Sequence, residues 1–236
     1  MNQGKFVVID GIAGSGKSTL IKAAKFWAES RDYKIFDLVE WAREHRDPPT
    51  YEEIKDYDIY FTFEPTKTWI GSAIRYEFSR TDDPYPGIVP AQALSLDRLI
   101  MYKRVIIPAL EDGKMIIQDR SVSSSIAYQP AMDDSISLEE VIELPGNKLA
   151  LEHAPDLLVL TDLDPETIVE RVKNRQDDSK GVYENLEFLK KVAERYRAEW
   201  YSELFMKHGT SVHVFDTRIP KQEMTIKFLK LLEKIF

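Results

Sequence analysis

Residues Gly11-Ile12-Ala13-Gly14-Ser15-Gly16-Lys17-Ser18-Thr19 set a glycine, four residues and then Gly-Lys-Ser near the start of the chain. That spacing lets consecutive backbone N–H groups converge on one anion, as in a P-loop. A lysine in this place reaches the β- and γ-phosphates of a nucleoside triphosphate, and the next hydroxyl ligates Mg²⁺. Gly11, Ile12, Ala13, Gly14, Ser15, Gly16, Lys17, Ser18 and Thr19 are the expected ATP-binding residues, with Lys17 catalytic and Ser18 a metal ligand.

Such a loop works only between a strand and a helix, where the helix end adds partial positive charge. Lys5-Phe6-Val7-Val8-Ile9-Asp10 is an apolar run that reads as a buried strand. Leu20, Ala23, Ala24, Trp27 and Ala28 then follow helical spacing from Lys17 to about Glu29. Further strands are expected over Ile59–Phe63, Lys114–Gln118, Pro155–Leu160 and Val212–Phe215. Tyr33–Leu38 fits either a short strand or the start of a helix. Helices are expected over Thr68–Phe78, Ala91–Glu111, Pro165–Arg175, Glu184–His208 and Lys221–Ile235. Pro108 should kink the second of these, and Gly113 should end it. Residues 41–58, with Pro48-Pro49, read as a surface excursion.

Strands alternating with helices predict an α/β chain, a doubly wound parallel sheet of five strands flanked by helices in the P-loop NTPase fold. No repeat or linker divides residues 1–236, so one domain is expected. Ligands of such sheets bind beyond the carboxyl ends of the strands. Asp10, Glu64, Asp119-Arg120, Asp162 and Asp216 stand at those ends. Asp119 is a second candidate for Mg²⁺, and Arg120 can clamp a phosphate.

Composition narrows the class. With 236 residues, 43% of them apolar, the chain can bury a sizeable core. It has no cysteine, which excludes disulfides, zinc thiolates and thiol nucleophiles. The net charge of −8 argues against a nucleic-acid partner. No apolar run reaches membrane-spanning length, and a strand begins within the first residues, so a cytoplasmic enzyme is expected. His45, His153, His208 and His213 are scattered, without metal-ligand spacing.

The segment Ala91 to Gln129, AQALSLDRLIMYKRVIIPALEDGKMIIQDRSVSSSIAYQ, resembles the thymidylate kinase family. It shares that family's Asp-Arg helix, its Pro-Ala-Leu and glycine, and an Asp-Arg pair followed by Ser-Ser and Ala-Tyr-Gln. Glu64-Pro65-Thr66-Lys67-Thr68-Trp69-Ile70-Gly71-Ser72-Ala73-Ile74-Arg75 is similar to its Glu-Pro-Gly-Gly-Thr segment. Asp164-Pro165-Glu166 through Arg175 and Glu187 through Tyr196 resemble its lid and the helix after it.

The resemblance implies transfer of the ATP γ-phosphoryl group to dTMP with Mg²⁺, in a homodimer paired along the aliphatic face from Leu94 to Ile107. It implies that Arg120 contacts the acceptor phosphate, with Lys67 nearby, and that Arg98 contacts the base. Ser125, Tyr128 and Gln129 would line the base and sugar pocket together with Leu94, Glu64 and Asp119. The P-loop has no arginine, so the further catalytic cation would be Arg171 or Arg175 of a lid over about 171–183. An acceptor that is already a phosphate needs no strong general base, but it does need several cations to offset repulsion between two polyanions.

Three positions depart from the family pattern. Ala13 stands where an acidic residue is usual, Leu94 where a phenylalanine stacks on the base, and Thr66-Lys67 where two glycines are usual. These leave the phosphate chemistry intact and the acceptor's base and sugar open. The main alternative is a deoxynucleoside kinase, whose Glu-Pro-x-x-x-Trp resembles Glu64 to Trp69 and would make Glu64 the base for a 5′-hydroxyl. In either case Trp69 is expected beside the acceptor. A nucleotide-dependent switch lacks its guanine-reading motif here, since Asn147-Lys148 continues as Leu149-Ala150.

Overall fold

The computed structural model describes residues 4–78, 85–173 and 186–236, without the side chains of 171–173. Its strands are β1 Lys5–Asp10, β2 Ile35–Asp37, β3 Ile59–Phe63, β4 Met115–Asp119, β5 Leu157–Asp162 and β6 Ser211–Asp216. The first helices are α1 Lys17–Glu29, α2 Leu38–Glu44, α3 Tyr51–Ile54, α4 Trp69–Glu77, α5 Ile88–Met101 and α6 Ile107–Glu111. There follow α7 Val122–Met132, α8 Leu138–Glu143, α9 Pro145–Glu152, α10 Pro165–Lys173, α11 Leu186–Arg197, α12 Glu199–Lys207 and α13 Lys221–Leu232.

The strands form one parallel sheet in the order β2-β3-β4-β1-β5-β6. Both faces are covered, and the strands show it in their period of two. Phe6 and Val8 of β1 enter one core with α5, α7 and α11, while Val7 and Ile9 enter the other with α1 and α13. Among the described residues, no helix is long and apolar enough to cross a membrane.

The sheet corrects the expected five strands to six among the described residues. The addition is β2, where Ile35 pairs with Ile59 and Asp37 with Phe61. It is three residues long and lies at the sheet edge. Asp37 ends it and at once caps α2, accepting the Val39 N–H at 2.8 Å. Both readings of Tyr33–Leu38 are thus realised in succession. The strand was hidden by its shortness, too little for an alternating pattern to declare itself.

The helix expected over Ala91–Glu111 contains one π turn, Tyr102–Ile106, before Pro108. Proline cannot donate to the carbonyl four residues back and its ring crowds it, which fits the wider turn there. Gly113, with φ 75°, ends the run as expected. The helix expected over Glu184–His208 is broken at Ala198, whose ψ is 139°. A continuous helix would set positions 196 and 201 about 140° apart. The break lets Tyr196 reach Asp10 and Tyr201 reach the Ser123 carbonyl on the same side.

The 41–58 segment packs more closely than a solvated loop would. Ile54, Pro48 and Pro49 are buried, and Arg104 donates to the Pro48 and Pro49 carbonyls at 2.8 and 3.1 Å. A capping box of Thr50 and Glu53 starts α3.

Helix α1 carries the phosphate loop, so its packing is worth testing directly. Leu20→Ala, at a fully buried site, should cost about 2–5 kcal/mol in urea denaturation. Phe26→Ala, on the exposed side of α1, should change stability by less than about 0.5 kcal/mol.

Candidate functional site

Parallel pairing sets the reactive ends side by side. Ile9 and Phe63 are both in register with Asp119, so Asp10, Glu64 and Arg120 leave the sheet next to one another. The loop after β1 turns at Gly11, where φ is 139° and a Cβ would lie 2.3 Å from the Thr161 hydroxyl. Ser15 fastens the loop by donating to the Ile12 carbonyl at 2.7 Å. Among the described residues no side chain caps the N-terminus of α1, and no acidic residue lies in its first turn. Its amides and partial positive charge are thereby left for an external anion.

Lys17 is buried under this loop and donates to the Gly11 and Ile12 carbonyls at 3.0 and 2.9 Å. Burial, helped by the Arg120 guanidinium, pulls its ammonium down to about 7 against the opposing pull of Asp119 and Asp10. A phosphate beside it would restore the charge. Ser18 lies exposed on the first turn of α1. The Asp119 Oδ1 atom is buried without a hydrogen-bond partner among the described residues. Burial raises the Asp119 carboxyl, while Lys17 and Arg120 act to keep it charged. An orphaned carboxylate oxygen and a hydroxyl at the loop are hard oxygen donors, which fit Mg²⁺.

Arg120 stands at the centre. It holds a φ of 67°, costly for a residue with a side chain, and its N–H donates to the Ile9 carbonyl at 2.9 Å. Its guanidinium donates to Ser124 at 2.9 Å and lies 5.4 Å from the Tyr128 ring centre. The Tyr128 hydroxyl in turn accepts the Ala13 N–H at 3.1 Å, joining α7 to the phosphate loop.

Two cavities meet at Arg120 and Glu64. The first, of about 270 Å³, is lined by Leu94, Arg98, Ser125, Tyr128 and Gln129, with Ile74, Phe78, Met132 and Phe188 on its apolar side. The Gln129 Oε1 atom is buried and has no partner among the described residues. The second, also about 270 Å³, is lined by Lys67 and Asp119 together with Lys25, Asp37 and Arg75. All the residues expected at the acceptor except Trp69 therefore border one or other cavity. Trp69 borders neither. It is half exposed, packs under Arg104 at 5.3 Å and faces the 41–58 segment. Arg171 belongs to α10, but its side chain lies outside the described residues, as does all of Arg175. The aliphatic face from Leu94 to Ile107 is largely internal, with Met101, Val105 and Ile106 in the core and Leu96 exposed.

The floor of the first cavity is a buried ion pair. Arg98 donates through Nε to Glu64 at 2.8 Å, and its Nη2 lies 2.6 Å from the same oxygen. Arg98 also donates to Asn147 and, at 3.1 Å, to Ser125. Gln118 donates to the other Glu64 oxygen at 3.1 Å. Burial pushes the Glu64 carboxyl up to about 7, and Arg98 is the main influence holding it down. Asn147 and Tyr196 carry no site motif of their own. They lie far along the chain from Arg98 and Asp10, the groups they bind, and only the fold brings them near.

Removing one partner of that pair strands a buried charge. Arg98→Met should lower stability at pH 8 by about 3–5 kcal/mol in urea denaturation. Glu64, without its cation, then holds its proton to still higher pH than in the intact protein. The loss should shrink as pH falls below that raised value, and adding Glu64→Gln should recover part of it at pH 8.

The family model described as Thymidylate kinase matches residues 49–225. A thymidylate kinase of Caldicellulosiruptor saccharolyticus is 32% identical over 222 residues, which cover 91% of this chain and 93% of the relative. A probable thymidylate kinase of Pyrococcus abyssi is 35% identical, with 86% of each chain covered. One of Staphylothermus marinus is 34% identical over 83% of this chain and 81% of its own length. With the phosphate loop, the arginine at its mouth and the flanking cavity all in place, the chain belongs to the thymidylate kinase family.

Proposed function

We infer that this protein transfers the γ-phosphoryl group of ATP to dTMP, giving dTDP and ADP. The observation that carries the reading is Arg120, which borders the first cavity, the second cavity and the phosphate loop at once. A monophosphate acceptor seated in the first cavity would present its phosphate to this guanidinium. The loop amides and Lys17 would hold the donor's β- and γ-phosphates on the other side.

In this reading the protein aligns two polyanions and offsets their charge. Lys17 and Arg120 meet the transferring group, and Lys67 flanks the acceptor phosphate. Arg171 or Arg175 would supply a further cation from the lid, a role resting on the sequence resemblance. Arg98, Ser125, Gln129 and Leu94 would shape the base and sugar pocket, with Tyr128 beneath. Ser18 and Asp119 would hold Mg²⁺, which would supply positive charge to offset that of the donor phosphates. Phe188 and Met132 close the apolar side of the cavity and help to keep water from the transferring group.

Glu64 has no place in this chemistry as a base. Both its oxygens are engaged, one by Arg98 and the other by Gln118, which fits a structural carboxylate better than an acceptor of a nucleoside proton. A homodimer belongs to the same reading, with Leu96 of α5 exposed on the outer side of the cavity wall. So does a cytoplasmic setting, where ATP and nucleoside monophosphates meet.

ADP release, measured with ATP and Mg²⁺ over dTMP, dUMP, dCMP, dGMP, UMP, thymidine and deoxycytidine, tests the activity. Preference for dTMP is expected, with kcat/KM down roughly 10²–10³-fold in Arg120→Ala. Turnover of nucleosides without monophosphates would overturn the reading. Light scattering should report a dimer mass, and Leu96→Glu should shift it towards the monomer.

A further inference from the structure

Asp10 ends β1, is fully buried and takes no part in the chemistry described above. Its carboxylate nevertheless gathers donors from every side. At Oδ1 it accepts the Gly11 N–H at 2.7 Å, the Ser124 hydroxyl at 2.8 Å and the Tyr196 hydroxyl at 3.0 Å. Ser123 donates to its other oxygen. The Arg120 Nη1 atom lies 3.6 Å from Oδ1 and also donates to Ser124 at 2.9 Å. Ser124 thus relays between the two, accepting from the guanidinium and donating to the carboxylate.

One carboxylate therefore joins three parts of the site: the phosphate loop through Gly11, the start of α7 through Ser123 and Ser124, and α11 through Tyr196. A charge in so dry a place is tolerated only with a full set of partners. Those partners include the residue whose guanidinium must be correctly placed. With no exposed surface, Asp10 cannot itself touch either nucleotide. We propose that Asp10 is a positioning residue for phosphoryl transfer, setting the Arg120 guanidinium through Ser124 and tying α11 to the phosphate loop through Tyr196. The inference rests on the reading that Arg120 acts on the acceptor phosphate.

The plainer view is that Asp10 merely knits β1 to α7. A double-mutant cycle separates the two, because residues acting as a unit are non-additive and independent ones are not. Steady-state kinetics with ATP and dTMP are measured on the intact chain, on Asp10→Asn, on Arg120→Ala and on the double variant. Melting temperatures are recorded beside them. Asp10→Asn should lower kcat by roughly 10- to 100-fold with little change in the KM for ATP. In the Arg120→Ala background the same substitution should cost less than about threefold. Tyr196→Phe should lower kcat less than Asp10→Asn, and should add nothing once Asn is in place.

Losses that multiply across Asp10→Asn and Arg120→Ala would overturn the proposal while leaving the dTMP kinase reading intact. An intact chain that phosphorylates no monophosphate would overturn both. If Asp10→Asn does not fold, Ser124→Ala and Tyr196→Phe take its place in the cycle and are judged by the same non-additivity.

Discussion

Like charges held close together must be compensated where water cannot do it, and this constraint governs the centre of the molecule. Lys17, Arg98 and Arg120 crowd the carboxyl ends of three neighbouring strands, and Asp10, Glu64 and Asp119 stand among them. Each carboxylate has a distinct setting. Glu64 is taken up by Arg98 and Gln118, Asp10 by hydroxyls, a backbone amide and Arg120, and one Asp119 oxygen has no partner among the described residues. The result is a set of cations that can face phosphates without repelling one another out of place.

Parallel register makes this possible. Because β1, β3 and β4 are aligned residue by residue, the chain can leave each strand at the same level and place one charged group per strand end. The helices then finish the job. Helix α7 brings Ser123, Ser124, Ser125, Tyr128 and Gln129 to one side of the arginines, and α11 adds Tyr196 and Phe188. The break at Ala198 belongs to the same design, since it turns two tyrosines from successive helices towards the site, one onto Asp10 and the other onto the start of α7.

The segment from β2 up to β3 extends this frame. It adds an edge strand, and through Asp37 and Val39 it helps to wall the second cavity. Its prolines are held by Arg104, which also lies over Trp69, so the tryptophan that follows the Glu64 motif is drawn outward. A residue's distance from a motif in sequence is thus a poor guide to its distance from the site when an adjacent segment competes for its face.

What the sequence determined by itself was local or periodic. The phosphate loop could be read because glycines at Gly11 and Gly16 serve backbone angles that other residues avoid, and the lysine and hydroxyl after them have one chemistry. The central strands and α1 were legible because burial on both faces or on one stripe leaves a pattern of apolar residues. Most acceptor-cavity residues were legible too, through motifs that keep their order along the chain. Tertiary structure alone decided the sixth strand, the break at Ala198, the outward turn of Trp69 and the partners of the charges. Asp10 meets Tyr196 and Arg98 meets Asn147 only after the sheet has formed. A hydrogen bond between residues far apart in sequence leaves no periodicity to read, since it depends on where whole elements come to rest.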